Sequence, residues 1–461
     1  EVLVAAHFMS IDDAMKATVI AMQHEPYACE LMDKIILDCT KDNIEQQKNR
    51  FFLVEDPAAV LIVELRAEAK SEADDLGDAL IEQLKATGLG YAFPKIYPPQ
   101  TENIWNLRKA GLGVLSNIKG DRKPVACIED TAVDVRDLPA YIQEFSAMMA
   151  EFEQDAVYYA HAGAGELHLR PILDLKDEDD VQLFHDISEA SAKLVKKYQG
   201  SLSGEPGDGR VRAEFIPLMI GEQNYKLLRQ IKETWDPLHV FNPGKIVDAP
   251  PMNESLRYEP GQATPDFDTV FDFSNTKGIL RAAEKCNGSG DCRKLPLSGG
   301  TMCPSYQATR NERDTTRARA NALREFLTQN ADNENPFDQK ELYEVMDLCI
   351  SCKGCTSECP SNVDMSTMKA EFLHQYYQSH KIPLRVKAFA NIATLNRLGG
   401  ILPGMGNFFL QNNIMSKPLK KFLGIAPQRT LPPLAKRSLR SWYKKNRKQL
   451  KPQGTLKGKV Y

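Results

Sequence analysis

Seven of the ten cysteines fall between Cys286 and Cys359, and four of them, Cys349, Cys352, Cys355 and Cys359, crowd into the stretch CISCKGCTSECP. Their spacing, CxxCxxCxxxC with Pro360 directly after, suits thiolate ligation of an iron–sulfur cubane. Two-residue gaps wrap a loop around one cluster, so that three thiolates meet three irons. The fourth cysteine begins the outgoing segment and can reach a second centre, while Pro360 keeps the loop from closing into a helix too early. A structural zinc site also uses CxxC pairs, but it normally sets two pairs far apart instead of packing four cysteines into one short run. The spacing therefore favours iron–sulfur chemistry. Upstream, KCNGSGDCRK holds Cys286 and Cys292, and GTMCPSY holds Cys303 followed by Pro304.

A second set of candidate ligands lies in YAHAGAGELHLRP. Two strands, Ala156–His161 and Glu166–Leu173, read as a hairpin across the turn Ala162–Gly165. The alternation of Leu167 and Leu169 against His168 and Arg170 puts His168 on the polar face. Such a hairpin can bring His161 and His168 opposite each other, within reach of one metal ion. Two histidines near a turn are, however, more often hydrogen-bonded structural groups. Next comes SGEPGDGRVRAEF, where Glu205 among three glycines implies a close approach of chain to ligand, with an ordinary loop as the plain alternative. A third stretch, WDPLHVFNPGKI (235–246), is a Pro- and Gly-punctuated loop leaving a helix.

The elements that must position these residues follow from periodicity. Residues 1–100 read strand, helix, strand, helix, strand: VLVAAHFM, a helix near 10–23 capped by Ser10, AVLIVELRAE, a helix over 71–87 with Leu76, Leu80 and Leu84 on one face, and a strand near 91–97. A second half repeats the order of elements without a sequence repeat, with a strand at 123–129, a helix at 138–153, the histidine hairpin and a helix at 178–199. This pattern predicts an α+β fold: a ferredoxin-like antiparallel sheet domain with helices on one face. An all-α domain carrying the cysteines follows, with helices at 314–329 and 338–348. The expected boundaries are 1–250 for the first domain, 251–277 for a Pro-rich linker, 278–390 for the cysteine domain and 391–461 for a basic linker or tail.

At 461 residues the chain exceeds one ordinary core. With 42% hydrophobic and 26% charged residues and a net charge of −4, the composition is that of a soluble globular protein. No apolar run reaches the roughly 18 residues that span a bilayer. The clustered cysteines fit a reducing compartment, so a cytoplasmic setting is expected. After Glu371 there is no acidic residue, while Lys and Arg recur to Lys459. This basic block suits a docking face for an acidic redox partner, a missing downstream module or a peripheral contact on the inner face of the cell membrane. With no recognition motif, nucleic acid is not expected. Both ends read as cuts through a longer protein. Cys29, Cys39 and Cys127 are isolated and read as core residues.

Taken together, residues 1–250 resemble the C-terminal domain of FAD-linked oxidases of the vanillyl-alcohol-oxidase superfamily. HAGAGELHLRP resembles the family's HxGDGNLH motif, SGEPGDG its GEHGxG motif and DPLHVFNPGK its DPxxxxNPGK motif. The continuation into the cysteine-rich half resembles large bacterial D-lactate and D-2-hydroxyglutarate dehydrogenases, and the cysteine groups separated by helices resemble helical ferredoxin domains. The resemblance implies a divalent metal, zinc by preference, on His161, His168 and Glu205. It further implies Arg108 as the clamp for a substrate carboxylate, and the loop of Asn242, Gly244 and Lys245 against the flavin.

It also implies that Cys303, Cys349, Cys352 and Cys355 hold one 4Fe-4S cluster, leaving Cys286, Cys292 and Cys359 open to a second centre (zinc or a three-cysteine cluster) or to simple packing. The implied activity is oxidation of a small D-2-hydroxy acid by FAD, with electrons leaving through the cluster to a quinone, a cytochrome or a downstream module. Two departures stand out: Pro206 replaces the family's histidine, and AGAGE lacks the acid of GDGN. The FAD-binding domain of such enzymes is separate, so this chain alone is expected to bind FAD poorly and turn over nothing. The rival readings are a non-catalytic iron–sulfur electron-transfer subunit and a zinc-organised scaffold.

Overall fold

The computed structural model describes residues 1–461 except 42, 206, 448 and 451–461. It forms two compact units, Glu1–Leu373 and His374–Tyr461. The first carries an eight-stranded antiparallel sheet: β1 (Val2–Phe8), β2 (Ala28–Asp33), β3 (Ala59–Leu65), β4 (Lys95–Ile96), β5 (Lys123–Pro124), β6 (Ile128–Ala132), β7 (Ala156–His161) and β8 (Glu166–Leu173). The strand order is β4-β1-β3-β2-β7-β8-β5, with β6 sharing the outer edge of β8.

The first half, in order β4-β1-β3-β2, is a ferredoxin-like unit with one helix after β1 and one after β3. The second half repeats it through β6, a helix, β7, β8 and another helix, and closes at Ser201, which bridges Ala132 of β6. The two halves of the sheet join edge to edge where Leu31 and Met32 of β2 pair with Ala160 and Tyr159 of β7. The expected strand at 91–97 shrinks to Lys95–Ile96 plus a single bridge from Ala92 to His7.

Every residue of β1 and β3 is buried, as expected of near-continuous apolar runs covered on both faces. The helices Ile11–Ala21, Lys70–Ala86, Leu138–Glu151 and Glu178–Lys197 pack on one face around Phe8, Leu61, Tyr141 and Leu169. The expectation of helices on one face alone is thus corrected: the opposite face is covered as well, since Leu3, Ala5 and Ile62 meet Leu37 and, from the helix Thr101–Val114, Ile104 and Leu107.

The cysteine-bearing half packs against this sheet domain. Asn43 Nδ2 donates to Asn362 Oδ1 at 2.8 Å, and the Asp121 carboxylate accepts from Lys176 at 2.8 Å and Arg281 at 2.6 Å. Gly113 lets the helix Thr101–Val114 approach Pro360 so closely that a Cβ there would stand 2.1 Å from the proline Cβ. Residues 251–277 contain one short 3-10 helix, Ser274–Thr276, and are pinned by buried Met252 and by Gly261 N donating to Lys176 O. In the second unit, the described residues form five short helices between Leu384 and Asn446.

Candidate functional site

The β7–β8 register pairs Tyr159 with His168 and His161 with Glu166. His161 and His168 point to the same side two rows apart, and their ring centroids stand 5.1 Å from each other. The loop after Ser201 brings Glu205 over them. Ligand atoms of His161, His168 and Glu205 all lie within 4.8 Å of one another, with Glu205 Oε1 3.6 Å from His161 Nε2. Gly204 permits this approach: a Cβ there would meet the Glu166 carboxylate at 2.9 Å.

Around the trio stands a ring of charged groups that fix its geometry. Glu30 of β2 bridges two of the expected site residues, accepting from Arg108 Nη2 at 2.6 Å and contacting His161 Nδ1 at 2.9 Å. The hydrogen bond to Glu30 holds the His161 ring above its ordinary pKa. His168 Nδ1 is 2.7 Å from Asp130 Oδ1, although the ring is turned off the line of a hydrogen bond. Asp130 occupies a left-handed backbone conformation (φ 68°) at the irregularity in β6 between Glu129 and Thr131. Burial alone would raise its pKa, but His168, Arg212 and Arg170 outweigh burial and hold it down. Glu166, buried and with Oε1 unbonded, is raised by burial and then by the charges of Glu205 and Asp130.

Arg108 is 5% exposed, and its guanidinium carbon lies 3.4 Å over the Tyr159 ring. Burial pushes its pKa down to about 10, against the opposing pull of Glu30. Its Nη2 also donates to Ala160 O at 3.2 Å, and its buried Nε has no hydrogen-bond partner.

The second cluster of candidate ligands is the cysteine set. Cys303, Cys349, Cys352 and Cys355 line one cavity together with Thr316 and Arg319. Cys303 Sγ is 3.6 Å from Thr316 Oγ1, 3.7 Å from Ser305 Oγ and 3.7 Å from Arg319 Nη1. Cys286, Cys292 and Cys359 are buried. Burial raises the Cys359 and Cys292 thiols, with the charge of Cys286 adding to both, so these three share a neighbourhood. No cysteine is in a disulfide, and burial pushes Cys355 up to about 12. Metal ligation would stabilise the thiolate forms that burial disfavours.

Among the described residues, no three cysteine sulfurs lie within 4.8 Å of one another. Thiolates sharing a single zinc through bonds of about 2.3 Å would stand roughly 3.8 Å apart. The donor set thus fits a polynuclear centre better than one ion.

With this geometry in place, the comparisons with known proteins are direct. The profile of FAD linked oxidases, C-terminal domain, matches residues 1–246. The chain belongs to this FAD-linked oxidase family. A profile for a 4Fe-4S dicluster domain matches residues 285–364, which include all seven clustered cysteines. The D-2-hydroxyglutarate dehydrogenase of Pseudomonas putida is 28% identical over 463 residues, covering 92% of this chain and 46% of that protein. That of Escherichia coli is 27% identical over 467 residues, again covering 92% and 46%. The D-lactate dehydrogenase of Archaeoglobus fulgidus is 26% identical over 246 residues, covering 53% of this chain and 51% of that protein. The chain spans about half the length of the curated relatives it matches.

In this FAD-linked oxidase domain, Arg108, His161, His168 and Glu205 converge, and in the 4Fe-4S region Cys303, Cys349, Cys352 and Cys355 line one cavity. Asn242, Gly244 and Lys245 sit apart on the loop after the helix Glu222–Trp235. That loop is shaped by Asp236 accepting from Val240 N and Phe241 N. Among the described residues, no hydrogen bond or ion pair ties it to the histidine site. Pro206 lies outside the described residues. Glu166 and Asp130 bring two further carboxylates to the site, both grouped with Glu205. Sequence reasoning missed Glu30 and Asp130. The strand ACELMD of β2 offered a signal for Glu30, a carboxylate between apolar Cys29 and Leu31. Asp130 is placed by a β irregularity that leaves no trace in composition.

Proposed function

We propose that this chain forms the substrate-binding and iron–sulfur part of an FAD-dependent dehydrogenase that oxidises a D-2-hydroxy acid, D-lactate or D-2-hydroxyglutarate, to the 2-oxo acid. One observation carries the reading: His161, His168 and Glu205 bring ligand atoms within 4.8 Å of one another, and Glu30 links His161 to Arg108. Two imidazoles and a carboxylate would hold a divalent ion, zinc by donor type, whose Lewis acidity lowers the pKa of a chelated hydroxyl. When bound, flavin supplies a hydride acceptor and a 4Fe-4S cluster a one-electron outlet.

The chain's own residues bind and orient the substrate. Arg108, stacked on Tyr159 and braced by Glu30, would bind the substrate carboxylate through its guanidinium. Asn242, Gly244 and Lys245 would meet the flavin from their exposed loop. Cys303, Cys349, Cys352 and Cys355 would ligate one cluster, and Cys286, Cys292 and Cys359 would supply three ligands of a second centre.

The acceptor would be a quinone, a cytochrome or a downstream module. The acid-free, Lys- and Arg-rich stretch after Glu371 supports docking of an acidic partner or a peripheral contact with an anionic membrane. Among the described residues, no helix is long and apolar enough to cross a membrane. A non-catalytic electron-transfer subunit is the competing reading, favoured by Pro206 in place of the family's histidine.

The test is anaerobic purification of the whole protein, analysis of iron, sulfide, zinc and flavin, and dye reduction with each D-2-hydroxy acid. Reduction by D-2-hydroxyglutarate or D-lactate, lost in His168→Ala, is the expected result. A flavin- and iron-loaded protein that reduces dye with neither acid would overturn the dehydrogenase reading in favour of the electron-transfer subunit.

A further inference from the structure

A cavity of about 540 Å³ lies on the seam between the sheet domain and the cysteine-bearing half. Lys123 enters it from the sheet side and Lys285 from the other, with exposed Lys119 also lining it. Neither Lys123 nor Lys285 has a carboxylate partner among the described residues. Lys123 Nζ donates only to Ile118 O, and Lys285 Nζ only to Asn362 O, at 3.3 Å. Both side chains are half-buried.

The carboxylates around them are bonded to other groups. Asp121 is bonded by Lys176 and Arg281, and Glu284 is bonded by Lys176. The two carboxylates that line the cavity are engaged as well. Asp38 pairs with Lys34 and Lys41, and Asp364 accepts from Ser366 Oγ, Thr367 N and Thr367 Oγ1. Asp121 and Glu284 lie near Lys123, and Asp364 and Cys359 near Lys285, but none makes a direct ion pair with either ammonium, so an anion placed between the two half-buried lysines gains contacts that no protein carboxylate makes. The cavity volume falls in the range of small-molecule sites, larger than a single inorganic ion needs. The remaining lining is rich in neutral polar groups, among them Ser116, Asn117, Thr276 and Asn362.

We propose that this seam cavity is a binding site for a small organic anion bearing two carboxylate or phosphate groups, one held by Lys123 and the other by Lys285. The site is separate from the histidine site and does not depend on the 2-hydroxy-acid reading. A ligand there contacts both halves of the first unit, so occupancy raises the melting temperature of that unit by mass action. Lys285 directly precedes Cys286 in the chain, so a change there would also disturb a centre held by that cysteine. Lys123 stands on the sheet side, away from the cysteines in sequence, and is the anchor to vary.

The test uses the full chain with its clusters intact and two probes, glutarate and pyrophosphate, read by titration calorimetry and thermal melting. One saturable site is expected for at least one probe, and which probe binds tells a carboxylate ligand from a phosphate one. Lys123→Met should weaken binding about tenfold or more, Lys123→Arg should retain it, and Lys123→Met without anion should melt no lower than the parent. Three results would each overturn the proposal: neither probe binding at millimolar concentration, binding unchanged in Lys123→Met, or Lys123→Met melting lower without anion. The last would make Lys123 a structural donor to Ile118 O.

Discussion

Arg319 Nη1 lies 3.7 Å from Cys303 Sγ, and the Arg319 side chain is wholly shut off from solvent. The same nitrogen donates to Asp314 O at 2.7 Å and Ser305 Oγ at 3.0 Å, and Nε donates to Val345 O. A fixed cation against one thiolate favours the more negative, reduced state of a cluster held there. Arg319→Gln is expected to shift the one-electron reduction equilibrium about tenfold towards the oxidised form, roughly 59 mV. Potentiometric titration followed by electron paramagnetic resonance reads the shift, and an unchanged midpoint with full cluster content would refute it.

The histidine trio makes a separate prediction. His168→Ala removes one of the three expected ligands, and the loss of metal affinity should exceed the roughly 10–100-fold typical of an outer partner. Elemental analysis after dialysis should find zinc in the parent and little in the variant, with iron content unchanged. Zinc retained at parental stoichiometry would remove His168 from the site.

Glu30 is expected to act one step further out. Glu30→Gln keeps the size of the side chain but weakens its hold on both the His161 ring and Arg108. Metal affinity should fall about 10–100-fold, and KM for a 2-hydroxy acid should rise through the loosened Arg108. Competition with a chromophoric chelator measures the first effect and steady-state kinetics the second.

Much of this architecture was legible in the chain because its signals are local. The hairpin Ala156–His161 and Glu166–Leu173 follows from strict alternation and a glycine turn, and the observed bounds are the expected ones. The strand β2 was not legible, since ACELMD is short, interrupted by Glu30 and followed at once by the helix Lys34–Cys39. Its place is set by pairing with β3 and β7, which lie far away in sequence. For the same reason Glu30 escaped notice although it touches two expected site residues. Cover on the second sheet face was missed because the helix Thr101–Val114 carries two glycines and two lone apolar anchors, Ile104 and Leu107, a weak period.

His185 gives a pH-dependent prediction away from any metal. Its Nε2 is 2.7 Å from Glu214 Oε1, and Glu214 Oε2 also accepts from Met252 N, tying the helix Glu178–Lys197 to the segment after 250. Burial would lower the imidazole pKa, but Glu214 and Asp186 outweigh it and raise it. A raised folded-state value means that the stabilisation is fully present below the unfolded value of about 6.5 and is lost as pH rises through the folded one. His185→Gln keeps a neutral donor and removes the charge. It should cost up to about 1 kcal/mol at a pH of about 6, after discounting for solvent, and almost nothing at a pH of about 9, well above the imidazole range. Melting curves at the two pH values test this, and an equal deficit at both would show that the charge plays no part.

Gly113 sets the junction between the two halves of the first unit. In the middle of an exposed helix, Gly→Ala would gain about 1 kcal/mol from helix propensity. At this position the new methyl would stand 2.1 Å from Pro360 Cβ and 3.2 Å from Pro360 Cα, well inside the contact distance of two carbons. Overpacking of this kind costs about 1–3 kcal/mol, so the clash is expected to win. The displaced group is Pro360, next to Cys359, and relief of the clash must move that cysteine or the helix Thr101–Val114. Gly113→Ala should therefore melt earlier than the parent and bind iron less completely, with zinc at the histidine site retained. Parental melting and parental iron content together would show that the junction yields without strain.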